Sequence, residues 1–208
     1  MRKTIYIVRH GQTDYNKKGI VQGSGIDASL NDLGRLQSEA FYKAYRDMPI
    51  DKIYISGLKR TKESVSLFIN DGLPYESLNG LNEISWGTSE GTEFTNENNT
   101  LYKKLVQDWK DGKTHLSVEA GESPEDVMKR QKEAMGHILQ QTDEKNILIC
   151  MHGRAMRILL CWLLDKPLRV MDDYIHNNLG LYVLHYIDKK FELVTRNDLE
   201  HLLHLKEA

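Results

Sequence analysis

Three short apolar runs constrain this chain most. They are Ile5-Tyr6-Ile7-Val8, Ile53-Tyr54-Ile55 and Ile147-Leu148-Ile149-Cys150. Each is rich in β-branched residues and too short for a helix, so each reads as a buried strand. Each gives way within two positions to a small or polar residue: Arg9-His10-Gly11, Ser56-Gly57 and Met151-His152-Gly153. Helical patterns separate them, and strands alternating with helices predict an α/β sheet. In open α/β sheets the carboxyl ends of the strands border the ligand crevice. Two histidines and an arginine therefore stand where a ligand would bind.

The element reading follows from periodicity and caps. Strands are expected at about 4–9, 52–56, 74–78 and 147–151, with a hairpin of 181–187 and 191–195 at the sheet edge. A helix is expected over 32–47, capped by Asn31, with Leu33, Leu36, Ala40, Phe41 or Tyr42, and Ala44 on its apolar face. Further helices are expected over 58–70, 100–110, 124–141 and 153–164, with a terminal one over 199–205. Ser123 caps the fourth of these six, with Pro124 and two acids in its first turn. Residues 84–130 break the strand–helix rhythm and read as an inserted cap over the ligand edge. The polar cluster Asn96-Glu97-Asn98-Asn99 within it reads as a solvated loop.

Composition narrows the function classes. With 208 residues and a formal net charge of −2, the chain fits one domain with an insertion and has no global field that favours nucleic acid. Its two cysteines, Cys150 and Cys161, make no disulfide framework and read as buried thiols. No apolar run approaches the ~20 residues of a membrane span. The apolar segment behind Met1 is too short for a signal peptide, so a cytoplasmic setting is expected. No HExxH-like spacing links the histidines, and no metal or other cofactor is expected. His201 and His204 read as surface residues.

The residues at the strand ends suit phosphate chemistry. Imidazole is a nucleophile near neutral pH, and guanidinium grips phosphate through paired hydrogen bonds. The stretch Arg9-His10-Gly11-Gln12-Thr13-Asp14-Tyr15-Asn16, then Gln22-Gly23, Leu30 and Leu33-Gly34, resembles the motif of the histidine phosphatase superfamily, the phosphoglycerate mutase-like family. Ser56 to Thr61, Leu81-Asn82-Glu83-Ile84 with Gly87, and Met151-His152-Gly153 follow in family order. The resemblance covers about residues 4 to 185.

It implies a three-layer α/β sandwich with a mostly parallel central sheet flanked by helices. It also implies roles. His10 is the nucleophile, Arg9 and Arg60 clamp the phosphoryl, His152 binds a phosphoryl oxygen, and Glu83 is the general acid. Glu83 must hold a proton at neutral pH, which burial beside an anion favours. Asn16, Gln22, Gly23 and Gly153 are the expected substrate or phosphate contacts, and Thr13 offers a further hydroxyl. Trp86 either walls the pocket or fills the core. Glu90 and Glu93 are weaker candidates for the acid.

The expected activity is hydrolysis of small phosphomonoesters through a phosphohistidine, with no metal. Two alternatives stay open: phosphoglycerate mutase-type transfer, and a non-catalytic phosphate sensor. Mutases of the family carry a substrate-binding arginine pair between the acid motif and the second histidine. Here residues 84–146 contain only Arg130. Gln12, Tyr15 and Gly57 depart from the usual residues at their positions, which bears on substrate preference.

Overall fold

The computed structural model describes residues 2–93 and 96–205. Six strands of these residues form one mixed sheet: β1 (Arg2–Arg9), β2 (Lys52–Ile55), β3 (Tyr75–Ser77), β4 (Asn146–Met151), β5 (Leu181–Ile187) and β6 (Lys190–Asp198). Their spatial order is β3-β2-β4-β1-β5-β6. The first four in that order are parallel, and β5 and β6 pair antiparallel. The β5–β6 turn places Asp188 and Lys189 at φ 48° and 67°, the left-handed pair that a tight two-residue hairpin requires.

Among the described residues seven α-helices accompany the sheet: α1 (Asp14–Lys18), α2 (Asp32–Tyr45), α3 (Lys59–Ser64), α4 (Ser66–Asn70), α5 (Asn96–Lys110), α6 (Pro124–Gln140) and α7 (Gly153–Leu163). Successive strand residues point to opposite faces, so the sheet feeds two cores. Ile5, Ile7, Ile147 and Ile149 face Met135 and Ile138 of α6 and Ala155, Ile158 and Leu159 of α7. Val8, Ile53, Ile55, Leu148 and Cys150 face Phe41 of α2, Val65 and Phe68. The result is the three-layer α/β arrangement that the family resemblance implies, built on the α/β sheet that the alternating pattern predicts. No helix of the described residues is long and apolar enough to cross a membrane.

Several local expectations are corrected. Leu33 and Leu36 of α2 are 37% and 48% exposed, and Ala44 is exposed too. The buried set is Gly34, Ser38, Ala40 and Phe41. The helix docks through Gly34, against which the Gln12 backbone lies, and that close approach sets its rotation. The helix expected over 58–70 is two, broken at Val65 (φ −120°, ψ 14°). Ser66 Oγ donates to the Glu63 carbonyl and Ser38 Oγ to that of Ser64, which diverts two acceptors from the helical ladder. The backbone is already helical from Asn96, so the expected solvated loop at 96–99 belongs to α5. The end of the chain forms a 3-10 segment, Glu200–Leu205. His201 is buried rather than superficial, its ring 5.4 Å from Phe41 and 5.1 Å from Tyr45 between centroids. Both cysteines are free and buried.

Candidate active site

Parallel pairing brings the carboxyl ends of β1, β2 and β4 level. Arg9 pairs with Met151 and Ile55 with Cys150, and the His10 N–H donates to the Met151 carbonyl at 2.9 Å. The residues that leave these strands, His10, Ser56 and His152, thus emerge side by side. The rings of His10 and His152 lie 5.1 Å apart between centroids.

His10 is buried, and its Nδ1 lies 2.7 Å from the Gly11 carbonyl oxygen. A carbonyl only accepts, so Nδ1 carries the proton and Nε2 keeps a lone pair. Burial, with Arg60 and Arg9 adding to it, holds this imidazole well below its ordinary pKa of 6.5. The ring is therefore neutral at physiological pH. Gly11 is confined as well: its N–H donates to Ser64 Oγ at 2.8 Å, and a Cβ there would sit 2.7 Å from the Gly34 carbonyl oxygen.

Arg60, in the first turn of α3, is fully buried. Its guanidinium donates to the carbonyls of Ile26 at 2.6 Å and Gly23 at 3.2 Å, and through Nε to His152 Nδ1 at 3.2 Å. Burial lowers its pKa to about 10, so it stays a cation at neutral pH. Since His152 Nδ1 accepts, its Nε2 carries the proton and donates to Ser56 Oγ at 2.8 Å. Both nitrogens of His152 thus have protein partners, and the ring faces Arg60. Burial and Arg60 hold it neutral.

Arg9 donates through Nη1 to the His176 carbonyl at 3.1 Å, and its Nε is buried with no hydrogen-bond partner among the described residues. Burial lowers it to about 10, partly offset by the nearby Glu83.

Glu83 is buried at the start of α7. Its Oε1 accepts from the N–H groups of Ile84 at 2.9 Å and Ala155 at 2.8 Å, and Oε2 accepts from that of Arg154 at 3.1 Å. The N-cap residue of α7, His152, makes no side-chain cap bond, so Glu83 satisfies the free N–H groups from outside the helix. The loop that carries Glu83 is held by Arg130 of α6. Its guanidinium donates to the carbonyls of Gly80 and Asn82, each at 2.9 Å, and of Glu83 at 3.0 Å, while pairing with Glu122.

The expected contacts Asn16 and Gln22 form a small network with Thr13. Thr13 Oγ1 donates to Gln22 Oε1 at 2.8 Å and caps α1 by accepting from the Asn16 N–H at 3.2 Å. Gln22 Nε2, like Arg9 Nε, is buried without a hydrogen-bond partner among the described residues. Gly23 lends its carbonyl to Arg60, and a Cβ on it would lie 2.1 Å from Glu90 Oε1. Glu90 Oε1 accepts from the Trp86 N–H at 3.0 Å, so Glu90 braces this loop. Gly153 lies against the ring of His176, whose Cε1 would be 3.0 Å from a Cβ. Glu93 is exposed, and its backbone bridges to Ile20. Trp86 is core, packed against Tyr102 and Trp109.

Sequence reasoning missed Ser56, Ser64, Arg130, His176 and Asn178. Asn178 Nδ2 donates to the His10 carbonyl at 2.8 Å. Burial and Arg9 push His176 down to about 3. The one signal for the last two was the polar run His176-Asn177-Asn178 directly before β5, the strand beside β1. Among the described residues no three His, Cys, Asp or Glu side chains are grouped to hold a metal.

Known proteins resemble this chain in sequence and in fold. A Hydrogenobacter thermophilus protein, provisionally named a phosphoserine phosphatase, is 29% identical over 201 residues, covering 96% of this chain and 97% of its own. The Gallus gallus 6-phosphofructo-2-kinase/fructose-2,6-bisphosphatase is 31% identical over 166 residues. That match takes in 79% of this chain but only 33% of the relative. The crystal structure of the alpha-ribazole phosphatase from Shigella flexneri superposes with a TM-score of 0.83 at 23% identity, over 95% of this chain and 96% of that one, and so shares its fold. The sequence profile of the histidine phosphatase superfamily (branch 1) matches residues 5–199, and the chain belongs to that family.

Proposed function

We propose that this protein is a phosphomonoester hydrolase that acts through a phosphohistidine on small phosphorylated metabolites and needs no metal. The observation that carries the reading is the His10 tautomer. With Nδ1–H donated to Gly11, the Nε2 lone pair is free to attack phosphorus, flanked by the cations of Arg9 and Arg60. The phosphatase names of the relatives support the same reaction class.

In the first step Nε2 forms the bond to phosphorus and the bond to the ester oxygen breaks. Charge spreads over the three remaining oxygens, where positioned cations stabilise it. Arg9 and Arg60 serve there, with the unpartnered N–H groups of Arg9 Nε and Gln22 Nε2 as additional donors. Glu83 enters this step as the carboxylic acid, and its Oε2, with one backbone donor against two on Oε1, gives that proton to the leaving oxygen and leaves Glu83 a carboxylate. In the second step water attacks phosphorus, Glu83 takes its proton, and the electron pair of the P–N bond returns to Nε2. His152 keeps Arg60 in place throughout. Asn16, Gly23 and Gly153 shape the loops around the phosphate.

Residues 1–208 act as one domain in this reading, with the segment of about 84–130 as a cap that selects the substrate. The setting is cytoplasmic and the partner is a small phosphomonoester rather than nucleic acid. The test is phosphate release from a panel of phosphomonoesters in EDTA, beside His10→Ala. Release by the wild type alone, with an acid-labile phosphoenzyme trapped on rapid quenching, is expected. Equal release by both proteins would refute the reading.

A further inference from the structure

Arg154 has no part in the chemistry described above, yet it touches both the acid and α5. Its backbone N–H is, among the described residues, the one hydrogen-bond donor to Glu83 Oε2. Its side chain is buried and bonds to other elements of the fold. Nη1 binds Asp172 Oδ1 at 2.5 Å, in the 3-10 turn Leu168–Asp173. Nη2 donates to the Tyr102 hydroxyl at 2.9 Å, and the guanidinium lies 5.3 Å from the centre of the Trp109 ring. Tyr102 and Trp109 both belong to α5, the helix within the segment that breaks the strand–helix rhythm.

A guanidinium fixed at three points leaves its own Cα little freedom. The planar fork also binds and stacks in a way that an ammonium group cannot reproduce. Displacing α5 therefore drags residue 154, and with it the N–H that holds Oε2. Asp172 is shared with Arg157, so this anchor is itself held from a second turn of α7.

We propose that Arg154 is a positioning residue that couples the seating of α5 to the placement of Glu83 Oε2, so that the leaving-group proton is delivered only when α5 is docked. The proposal rests on Glu83 being the proton donor. A contact that merely stabilised the fold would slow every substrate alike. Misplacing an acid slows only esters whose leaving oxygen needs a proton.

The test is kcat/KM, which reports the phosphorylation step, for 4-nitrophenyl phosphate and for glycerol phosphate. The proteins are the wild type, Glu83→Gln, Arg154→Met, Arg154→Lys and Tyr102→Phe, each checked for an intact thermal transition. Glu83→Gln is expected to lose about 10²- to 10⁴-fold on the alkyl ester, the usual contribution of a general acid, and little on the nitrophenyl ester. Arg154→Met should show the same selectivity with a loss of roughly tenfold or more, and Tyr102→Phe a smaller one in the same direction. Arg154→Lys should recover only part of the loss. Equal slowing of both esters, or no slowing, in Arg154→Met and Tyr102→Phe would overturn the proposal while leaving Glu83 as the acid. Absence of leaving-group selectivity in Glu83→Gln itself would instead remove the acid assignment and the proposal together. If Arg154→Met does not fold, Arg154→Lys and Tyr102→Phe decide the matter by the same criterion.

Discussion

The Nε–H of Arg60 donates to Nδ1 of His152 across 3.2 Å, and this one bond fixes both groups. It sets the His152 tautomer, with Nε2–H directed at Ser56, and it keeps the Arg60 guanidinium from rotating. A buried cation without such a partner would be costly to leave in place. His152→Ala is therefore expected to lower kcat/KM by about 10²-fold, as removal of a positioned charge-stabilising group does. Arg60 would be loosened rather than lost, so KM for phosphomonoesters should rise along with the fall in kcat. A steady-state comparison that finds KM unchanged would argue against this role.

Three imidazoles at the site are held neutral by burial, which gives a defined pH response. His10, His152 and His176 all have folded-state pKa values below the ordinary 6.5. On unfolding below pH 6.5 each would take up a proton that the fold refuses. Their contribution to stability is thus fully present above about pH 6.5 and lost as the pH falls. Each group adds up to about 1.4 kcal/mol per pH unit to that slope. Urea denaturation at pH 7.5, 6.0 and 5.0 should show the midpoint falling with acidity, and less steeply in His176→Asn. A midpoint that stays level over this range would contradict the neutral assignment.

Arg130 holds the acid loop rather than a substrate. Removing its guanidinium leaves the carbonyls of Gly80, Asn82 and Glu83 without the donor they share and takes the cation from the Glu122 carboxylate, which keeps the Ser85 N–H. Hydrogen bonds to a charged group contribute about 1.5–3 kcal/mol each, so Arg130→Ala should destabilise the protein by several kcal/mol. Arg130→Lys should restore only part of this, because one ammonium cannot span three carbonyls. Thermal melting of the two variants gives the comparison, and equal midpoints for wild type and Arg130→Ala would exclude the role.

Gly34 is where α2 meets the loop that follows β1. A Cβ there would lie 2.1 Å from the Gln12 carbonyl oxygen and 2.9 Å from its nitrogen. Backbone has to move to admit it. Gly34→Ala should therefore cost about 1–3 kcal/mol, as overpacking does. Because the displaced loop also carries His10 and Gly11, kcat should fall too. Urea denaturation with a parallel activity assay reads both, and a variant as stable and active as the wild type would refute the close-packing argument.

The sequence by itself determined what depends on local pattern. Alternation of apolar runs and helical stretches located the strands. Caps located the starts of two helices, with Asn31 and Ser123 each accepting the bond that a cap should. The motif residues His10, Arg60, Glu83 and His152 were legible because each follows directly from a short ordered string. The tertiary structure decided what depends on which surfaces meet. The rotation of α2 was misread because a glycine contact, rather than the leucines, seats the helix. His201 was misread because its burial comes from Phe41 and Tyr45, residues more than 150 positions away in the chain. The partners of the site, from Ser56 on His152 to Arg130 on the Glu83 loop, are hydrogen bonds between distant segments. Such bonds leave no periodic trace, because their geometry exists only once β1, β2 and β4 are side by side.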